Sequence, residues 1–508
     1  MDNIYFLNLD IRQNLAGVEM SALARTKIFS EELGIAPIFV TSVYNWMLHK
    51  NKLQLQKIQR ASAGLNVLNM YDYFQDATGI EHGGRQVRAE DLSPFRFVEV
   101  QGTADVRLYN EKGEFIAYCK RHPDDLSVSF INYLEAGAVW RRETYDTRGF
   151  LSKVDLLERR DDGELANESY FRPDGTVALT KRSSIKNGIA TTLSIQIINH
   201  EGRLERQFQT EAELLAYWLQ RLVEKAGKSI FVVDRCAEFY APLRAAVQKY
   251  KSAAKIVPVM HSVHTGGDVF SGVLNGFYRA VLEDIQAPDA LVVLTEEQKK
   301  DIIRRFGHAN IPVIPHSHKP VDGNPGPGKR NRFQIVYAAR FAPEKNHDLA
   351  LKAFKQVVSS IPQAELHLYG FGEKRQAITD QINGLGLKDK VFVRDFTPDI
   401  GAVYQEAGMS ILTSGIEAFC LGVLESLAHG CPVISFDIKY GPHSMIRNGV
   451  NGYLVPFNDV EALAKRMVEV LGNESLHHKL LENSAPSVNS LTDENVAKKW
   501  LELIDSLN

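Results

Sequence analysis

The chain has 508 residues, of which 44% are hydrophobic and 24% charged, so it has the composition of a globular protein and the length of more than one domain. A net charge of −3 argues against bulk electrostatic binding to nucleic acid, and no apolar run approaches the roughly 20 residues that a membrane span needs. Four scattered cysteines without a CxxC pair, and an N-terminus without a secretion signal, indicate free thiols in a cytoplasmic chain rather than a disulfide framework or a zinc site.

The first segment, residues 1–72, has a β-turn-α-β order. "IYFLNL" (Ile4 to Leu9) reads as a buried strand, and a polar turn ending at Gly17 follows. Val18 to Leu33 then has helical spacing, and "PIFVTSV" reads as the next strand. This order predicts the first part of a Rossmann-like domain, in which helices cover a parallel sheet.

Residues 73–207 have a different texture, with short alternating segments on both sides of polar turns that contain glycine. Such a pattern predicts β-hairpins, and several in succession predict an antiparallel meander. The alternative is an irregular surface insertion. The segments are "LYNEKGEFIAYCK", "TYDTRGFLSKVDL", "SYFRPDGTVALTK" and "INHEGRLERQ". We interpret 73–207 as a β-rich domain inserted in the first Rossmann-like domain, for acceptor binding or oligomerisation.

The parallel pattern resumes in residues 208–318, which form the second part of the first domain. "SIFVVD", "KIVPVMH", "ALVVLT" and "IPVIPH" read as buried strands, and Thr295 with Gln298 is a capping-box signal for the next helix. Residues 319–332 are rich in proline and glycine and read as a linker. Residues 333–490 repeat the strand-helix alternation, and 491–508 form an amphipathic helix that crosses back. The fold class predicted is therefore α/β, with two doubly wound Rossmann-like domains facing a cleft.

In the second domain, two glutamates flank the start of a predicted helix. Glu417 follows the strand "MSILTS", and Glu425 lies about one turn into the helix that spans 421–429. The backbone N–H groups at this helix start would face a phosphate, and they belong to Phe419, Cys420, Leu421 and Gly422. Carboxylates beside a phosphate site favour a ligand that also carries hydroxyls, such as a nucleotide sugar. The alternative is a pair of carboxylates on a solvated helix face.

Two cations and a glycine turn lie at neighbouring strand ends. Arg340 and Lys345 follow the strand "IVYAA" and could clamp a diphosphate, neutralising charge on a departing phosphate. Gly370 and Gly372 form a strand-to-helix turn that permits close backbone approach to a ligand. Alone, the two cations could equally be surface charges, and a lone GxG motif is weak.

Together these motifs resemble retaining GT-B glycosyltransferases with the E-x7-E motif. "NGYLVP" extends the resemblance in the second domain, and Gly17 with "VMHSVH" extends it to the first. "FDIKYGP" and the β-rich insertion resemble bacterial wall teichoic acid α-glycosyltransferases and the related serine-rich adhesin protein O-glycosyltransferases.

The resemblance implies a UDP-glucose or UDP-N-acetylglucosamine donor and a new α linkage. It assigns the diphosphate to Arg340 and Lys345, the ribose to Glu425, and the donor sugar to Glu417. It implies no metal or other cofactor. The acceptor would be teichoic acid, with a serine-rich protein as the alternative, and the β-rich insertion would support a homo-oligomer.

The resemblance also assigns residues from the first domain. Gly17 would let that domain approach the diphosphate, and His261 matches the family's active-site histidine near donor sugar and acceptor. His264 is the second candidate for a sugar or acceptor contact. A lone histidine is more often structural than catalytic, and His316 and His318 are expected to be solvated.

This chain departs from the family pattern at two positions. Ala418 stands where glycine is common, which puts donor choice in doubt, and Ser444 stands where many members have glutamate. The rival interpretations are a non-catalytic sugar-binding chaperone subunit, which would be expected to lose the cations or the first glutamate, and a phosphorylase or synthase acting on small sugars. Without a membrane span, the enzyme would be cytoplasmic, and peripheral association with the inner face of the membrane stays open.

Overall fold

The computed structural model describes residues 3–12, 15, 17–160, 163–250, 253–321 and 330–508. The chain divides into two compact units, Met1–Ile256 and Val257–Asn508. Most of the predicted linker, residues 322–329, lies outside the described residues.

The first unit opens with the predicted alternation of strands and helices. Its elements here are β1 (Asn3–Asn8), α1 (Gly17–Glu31), β2 (Ile38–Thr41), α2 (Leu48–Lys57), β3 (Asn66–Asn69) and α3 (Met70–Phe74). Strands β1, β2 and β3 pair in parallel, and the side chains of Phe6 and Leu7 in β1 are fully buried. The β-turn-α-β order of the sequence is thereby confirmed.

Antiparallel strands follow, after a short 3-10 turn at Ala89–Asp91. They are β4 (Arg96–Glu99), β5 (Val106–Tyr109), β6 (Phe115–Arg121), β7 (Val128–Glu135), β8 (Ala138–Asp146), β9 (Phe150–Arg160), β10 (Gly163–Phe171), β11 (Val177–Lys186), β12 (Ile189–Ile198) and β13 (Leu204–Phe208). Each strand pairs with its neighbours in sequence, so the predicted meander of hairpins is confirmed. At Gly175, φ is +84° and the N–H donates to Arg172 O, which is the turn geometry that glycine favours.

The chain then returns to the parallel sheet of the first unit. This part contains α4 (Glu211–Ala226), β14 (Ser229–Val233), α5 (Cys236–Tyr250) and β15 (Lys255–Pro258), in which the boundary between the units falls. The strand order is β15-β14-β1-β2-β3. Strand β1 therefore pairs with a strand that follows it by more than 200 residues, and the strands of the meander lie between β3 and β14 in the sequence.

The second unit begins with less regular structure than the sequence predicts. Its elements are β16 (Thr265–Gly266), β17 (Val273–Leu274), α6 (Arg279–Leu282) and α7 (Glu296–Phe306). The segments "ALVVLT" and "IPVIPH" are not full strands: they form single parallel bridges, Val259 to Val292 and Val293 to Val313. The apolar runs are buried, but only isolated residue pairs have ladder geometry.

Helix α7 has the predicted N-cap but only half of the predicted capping box. Thr295 Oγ1 accepts a hydrogen bond from the Gln298 N–H at 3.2 Å. The Gln298 side chain does not return to the cap: its Oε1 has no hydrogen-bond partner among the described residues, and its Nε2 donates to Ser262 O at 3.0 Å. The expected reciprocal bond is therefore replaced by a contact that fixes the segment after β15.

The rest of the second unit is an open parallel sheet with its helices. The strands are β18 (Asn331–Ala338), β19 (Glu365–Tyr369), β20 (Val391–Arg394), β21 (Ala407–Leu412), β22 (Val433–Asp437) and β23 (Gly452–Pro456). The helices are α8 (His347–Ser360), α9 (Arg375–Gly384), α10 (Ile400–Glu406), α11 (Leu421–Ala428), α12 (Pro442–Met445), α13 (Val460–Gly472), α14 (Glu474–Ser484) and α15 (Asp493–Leu507). The strand order is β20-β19-β18-β21-β22-β23, so β19 and β20 are added on one side of β18, and β21, β22 and β23 on its other side. Ligands of open α/β sheets bind at the switch point between these two halves, here between β18 and β21.

The last helix begins beside the segment that precedes the linker. Thr492 forms a parallel bridge with His318, and the His318 N–H donates to Leu491 O at 3.0 Å. Within the described ranges, no helix combines the length and the apolar character that crossing a bilayer demands.

Candidate functional site

The loops that follow β18 and β21 are joined by hydrogen bonds at the switch point of the second sheet. Asn346 Nδ2 donates to Thr413 O at 3.1 Å, and Thr413 Oγ1 donates to Lys345 O at 3.0 Å. The Gly415 N–H donates to Glu344 O at 2.8 Å. These bonds hold the loop after β18 (residues 339–346, the lysine loop), which carries the predicted cations, against the loop after β21 (residues 413–420, the glutamate loop), which carries the first predicted glutamate.

Lys345 and Glu417 form an ion pair across these loops. Lys345 Nζ lies 2.5 Å from Glu417 Oε1, and each side chain is 16% exposed. Tyr337 Oη donates to Lys345 O at 2.5 Å, which fixes the backbone of the lysine from below. An ammonium group has three N–H donors, so Lys345 can hold the glutamate and still donate to an incoming anion. The sequence placed both residues in one site, and the structure brings them into contact.

Arg340 lies on the same loop but is more open to solvent. Its side chain is 63% exposed, and its Nη2 donates to Glu344 Oε1 at 2.6 Å. An exposed pair of this kind contributes little to stability. The guanidinium therefore keeps the freedom to turn towards a ligand beside Lys345.

The start of α11 has the backbone geometry that the sequence predicts. Cys420 precedes the helix with φ +73°, and no described residue accepts a hydrogen bond from the N–H groups of residues 419–422. Orphan N–H groups at a helix start favour an anion. Glu425 is half-buried one turn into the helix, and burial raises the pKa of the Cys420 thiol well above its usual value, so the thiol is neutral.

Gly370 and Gly372 have a structural explanation in this chain. A Cβ at Gly370 would clash with the backbone oxygen of Ala339, and one at Gly372 would clash with that of Phe341. The Phe341 N–H also donates to Phe371 O at 2.8 Å. The two glycines let the loop after β19 pack directly against the loop that carries Arg340 and Lys345, and their approach to a ligand stays a prediction.

His347, the first residue of α8, is buried directly after the lysine loop and packs against aromatic side chains. The residue is 4% exposed, and its ring stacks on Tyr337 at 4.7 Å and makes an edge contact with Phe341 at 5.3 Å, between centroids. Neither ring nitrogen has a hydrogen-bond partner among the described residues. Burial lowers its pKa to about 4, and the nearby positive charge of Lys345 acts in the same direction, so the imidazole is neutral at physiological pH.

The ring of His261 contacts the ring of His316, which in turn contacts Phe419 in the glutamate loop; the sequence did not predict this role for His316. The His261 ring stacks on His316 at 5.9 Å between centroids, and His316 meets the face of Phe419 edge-on at 5.3 Å. The His261 N–H donates to Tyr278 Oη at 2.8 Å. His316 and His318 are both half-buried, so the expectation that they are solvated is wrong. Their place beside a proline-rich segment suggested exposure, and no sequence signal marked the ring contact.

His264 is a buried structural residue in this arrangement. Its side chain is fully buried, and its Nε2 lies 3.1 Å from Val269 O. Its Nδ1 lies 3.5 Å from Tyr440 Oη, which donates to Asp301 Oδ2 at 2.9 Å. The Tyr440 N–H donates to Glu417 O at 2.9 Å, so His264 belongs to a packed network behind the glutamate loop. A sugar or acceptor contact for His264 stays a prediction.

Gly17 lies in the first unit, where it begins α1. Apart from its chain neighbours and the backbone of its own helix, no described residue has an atom within 4 Å of a Cβ placed at this position. Ser21 Oγ donates to Gly17 O at 2.7 Å, which fixes the first turn of the helix.

Throughout the described ranges, no group of three or more histidine, cysteine, aspartate or glutamate residues could hold a metal ion.

Comparison with known proteins agrees with this geometry. Residues 324–485 match the family model of the group 1 glycosyl transferases. The matched range includes the cations, the glycine turn and both glutamates of the E-x7-E spacing.

Relatives cover nearly the whole chain. It is 26% identical to the poly(glycerol-phosphate) alpha-glucosyltransferase of Bacillus subtilis (strain 168), over 98% of this chain and 74% of the relative. It is 22% identical to the poly(ribitol-phosphate) alpha-N-acetylglucosaminyltransferase of Staphylococcus aureus (strain COL), over the full length of both.

The fold is also that of a solved glycosyltransferase. The crystal structure of the pneumococcal O-GlcNAc transferase GtfA in complex with UDP and GlcNAc superposes with a TM-score of 0.84 at 18% identity, covering 100% of this chain and 99% of that one. The predicted GT-B fold class is confirmed by this similarity, together with the parallel and antiparallel sheets. The chain is a glycosyltransferase with the GT-B fold, and its residues 324–485 are a group 1 glycosyl transferase domain.

Proposed function

We propose that this enzyme transfers glucose or N-acetylglucosamine from a UDP-sugar, with retention of configuration, onto hydroxyls of a polyol-phosphate chain such as teichoic acid. The observation that carries the proposal is the contact between Lys345 and Glu417 at the switch point of the second sheet. The two relatives that align along the chain are named for transfer to poly(glycerol phosphate) and poly(ribitol phosphate). Both have α in their names, as the retaining assignment requires.

The donor would lie across the loops after β18 and β21. Lys345 and Arg340 would bind the diphosphate, together with the N–H groups of residues 419–422. Glu425 would accept hydrogen bonds from the ribose hydroxyls, and Glu417 would accept them from the transferred sugar. The exposed Arg340 and the half-buried Lys345 support a division in which the lysine is fixed and the arginine closes on the ligand.

The reaction would form one bond to the anomeric carbon as another breaks. The acceptor hydroxyl attacks this carbon on the face from which UDP departs. The bond to the β-phosphate oxygen breaks, its electron pair stays on UDP, and a phosphate oxygen takes the proton of the attacking hydroxyl. Negative charge accumulates on the diphosphate, where Lys345 and Arg340 stabilise it. The chain's own cations would supply this stabilisation, so the proposal assigns no metal or other cofactor.

Two further residues have proposed roles. His261, which reaches Phe419 through His316, would lie near the donor sugar and the acceptor. Gly17 would let the backbone of α1 approach the diphosphate, which agrees with the open space at its Cβ position.

The domain division of the sequence analysis is part of the proposal. Residues 1–72 and 208–318 would form one Rossmann-like domain and 333–490 the other, with 319–332 as linker. The β-rich segment 73–207 would mediate a homo-oligomer, and the exposed apolar side chains of Ile189, Leu193 and Leu204 on its last strands support this. The free, buried thiols support a reducing cytoplasm.

The test incubates the purified protein with UDP-glucose or UDP-N-acetylglucosamine and one of three acceptors: poly(glycerol phosphate), poly(ribitol phosphate) or a serine-rich polypeptide. We expect acceptor-dependent UDP release with one donor and a polyol phosphate, and an α anomeric signal in the proton spectrum of the product. A β product would contradict the retaining assignment. Transfer to the polypeptide alone would identify a protein glycosyltransferase, and no UDP release in any pairing would favour a non-catalytic subunit.

A further inference from the structure

A cavity of about 590 Å³ lies within the second unit, beside the glutamate loop. Its size is within the range of about 300–1,000 Å³ that small-molecule sites occupy. Phe419 lines it, two residues after Glu417, so the cavity and the proposed reaction centre share one loop. The cavity thus reaches the Phe419 side chain that also contacts His316.

Three cations from distant parts of the chain line this cavity. Lys300 belongs to α7, Arg447 follows α12, and Lys499 belongs to α15. All three are exposed, and no carboxylate among the described residues lies within ion-pair distance of any of them. Many cations elsewhere on the chain are paired, such as Lys498, the neighbour of Lys499, with Glu494 at 2.6 Å. Unpaired positive charges that line one cavity favour a ligand with more than one anionic group.

Two carboxylates line the same cavity, and they narrow the ligand class. Glu297 lies 3.6 Å from Lys439 Nζ, so its charge is partly compensated. Glu296 lies in the first turn of α7, with no ion-pair partner among the described residues. Carboxylates repel phosphates but accept hydrogen bonds from hydroxyls. A ligand suited to both sets of charges carries anionic groups and free hydroxyls in alternation.

We propose that this cavity is an acceptor subsite that holds consecutive units of a phosphodiester-linked polyol chain. Lys300, Arg447 and Lys499 bind its phosphates, and Glu296 and Glu297 accept hydrogen bonds from its hydroxyls. The inference rests on the proposed function, because it names the acceptor class of the same site. A serine-rich polypeptide has the hydroxyls but lacks the regular anions, so it leaves the three cations without partners.

The test measures binding of poly(glycerol phosphate) to the full chain by calorimetry without a sugar donor. The variant Lys300→Ala/Lys499→Ala removes two cavity cations, and Lys299→Ala/Lys498→Ala removes the same charges from the neighbouring positions of α7 and α15, which do not line the cavity. Arg447→Ala is tested alone. Binding of UDP, measured in parallel, reports whether each variant is folded.

We expect each lost cavity cation to raise the Kd for the polymer about two- to fivefold, as an exposed charge contact does. The double cavity variant should then weaken binding up to about 25-fold, and its sensitivity to salt should fall. The control variant should stay within about twofold of the wild type, and UDP affinity should not change.

Unchanged polymer affinity in the cavity variants, or an equal loss in the control, would overturn the inference. The same holds if the serine-rich polypeptide binds with equal dependence on the three cations. Cation-dependent polymer binding without transfer from any UDP-sugar would support the subsite and reject the proposed function. Transfer to the polymer with no change in KM in the cavity variants would support the function and reject the subsite.

Discussion

Removal of either member of the Lys345–Glu417 pair should slow sugar transfer strongly, and removal of both should slow it by less than the product of the two separate losses. The reason is geometric: Nζ and Oε1 are 2.5 Å apart, and both side chains are 16% exposed. Lys345→Ala removes a charge that would stabilise the departing diphosphate. Glu417→Gln keeps the shape of the side chain but weakens its bond to the ammonium group and alters its contact with the sugar.

The magnitude follows from the kind of interaction lost. Removing one preorganised donor at a site of developing charge lowers kcat by about 10²–10³-fold, or about 2.7–4 kcal/mol. A hydrogen bond to a charged group contributes about 1.5–3 kcal/mol, and partial exposure places this pair in the lower part of that range. Because each side chain positions the other, we expect a coupling energy of about 1–2 kcal/mol between the two substitutions.

The assay is a double-mutant cycle on kcat/KM for acceptor-dependent UDP release. Each single variant should lose about 10²–10³-fold, and the double variant should lose about ten times less than the product of the two. Lys352→Ala is the control, because Lys352 forms an exposed pair with Asp348 at 3.2 Å on α8 and should leave kcat/KM within about twofold. Losses that multiply fully, or near-normal turnover in either single variant, would refute the reasoning.

Three further predictions concern the surroundings of this pair. Gly372→Ala should destabilise the chain by about 1–3 kcal/mol, because its Cβ would clash with Phe341 O, whereas Gly384→Ala has open space; chemical denaturation compares the two. Burial lowers the pKa of His347 from 6.5 to about 4, so the unfolded chain binds more protons than the folded chain between these pH values. The contribution of the neutral His347 to the free energy of unfolding is therefore fully present above about pH 6.5 and should fall by about 3 kcal/mol towards pH 4. Chemical denaturation at several pH values measures this loss, and the variant His347→Leu should not show it. Burial also raises the pKa of the Cys420 thiol, so iodoacetamide should label it at pH 8 only after denaturation, and mass spectrometry of the native protein detects any exception.

Local sequence signals predicted the meander and the second parallel sheet well. The meander could be predicted because the alternation of apolar and polar side chains and the glycine-containing turns are short-range signals. The structure has positive φ at two of these turn glycines, Gly113 and Gly175. In the second sheet, apolar runs are followed by helical spacing, and each run forms a parallel strand. The strand ends then placed Lys345 and Glu417 at one edge of the sheet before any contact was known.

Features that depend on contacts between distant segments were not readable. "ALVVLT" has the composition of a full strand, but its neighbours supply only single bridges at Val292 and Val293. The sequence did not show that the missing side chain of Gly372 leaves room for the backbone of Phe341. His316 had no motif at all, because its ring contacts depend on how segments far apart in sequence pack. The roles of the individual site residues stay predictions.

The bonds between Thr413, Gly415 and the segment 344–346 have a consequence for how new donor preferences could arise. These bonds fix the spacing between the Lys345 ammonium and the Glu417 carboxylate when the protein folds, so a nucleotide bound as we propose would not have to order two independent loops. In the proposed site, mutations around Ala418 and Phe419 would change the space for the hexose without changing this spacing. If the proposed site is correct, the choice of sugar would be able to change in evolution separately from the binding of the diphosphate.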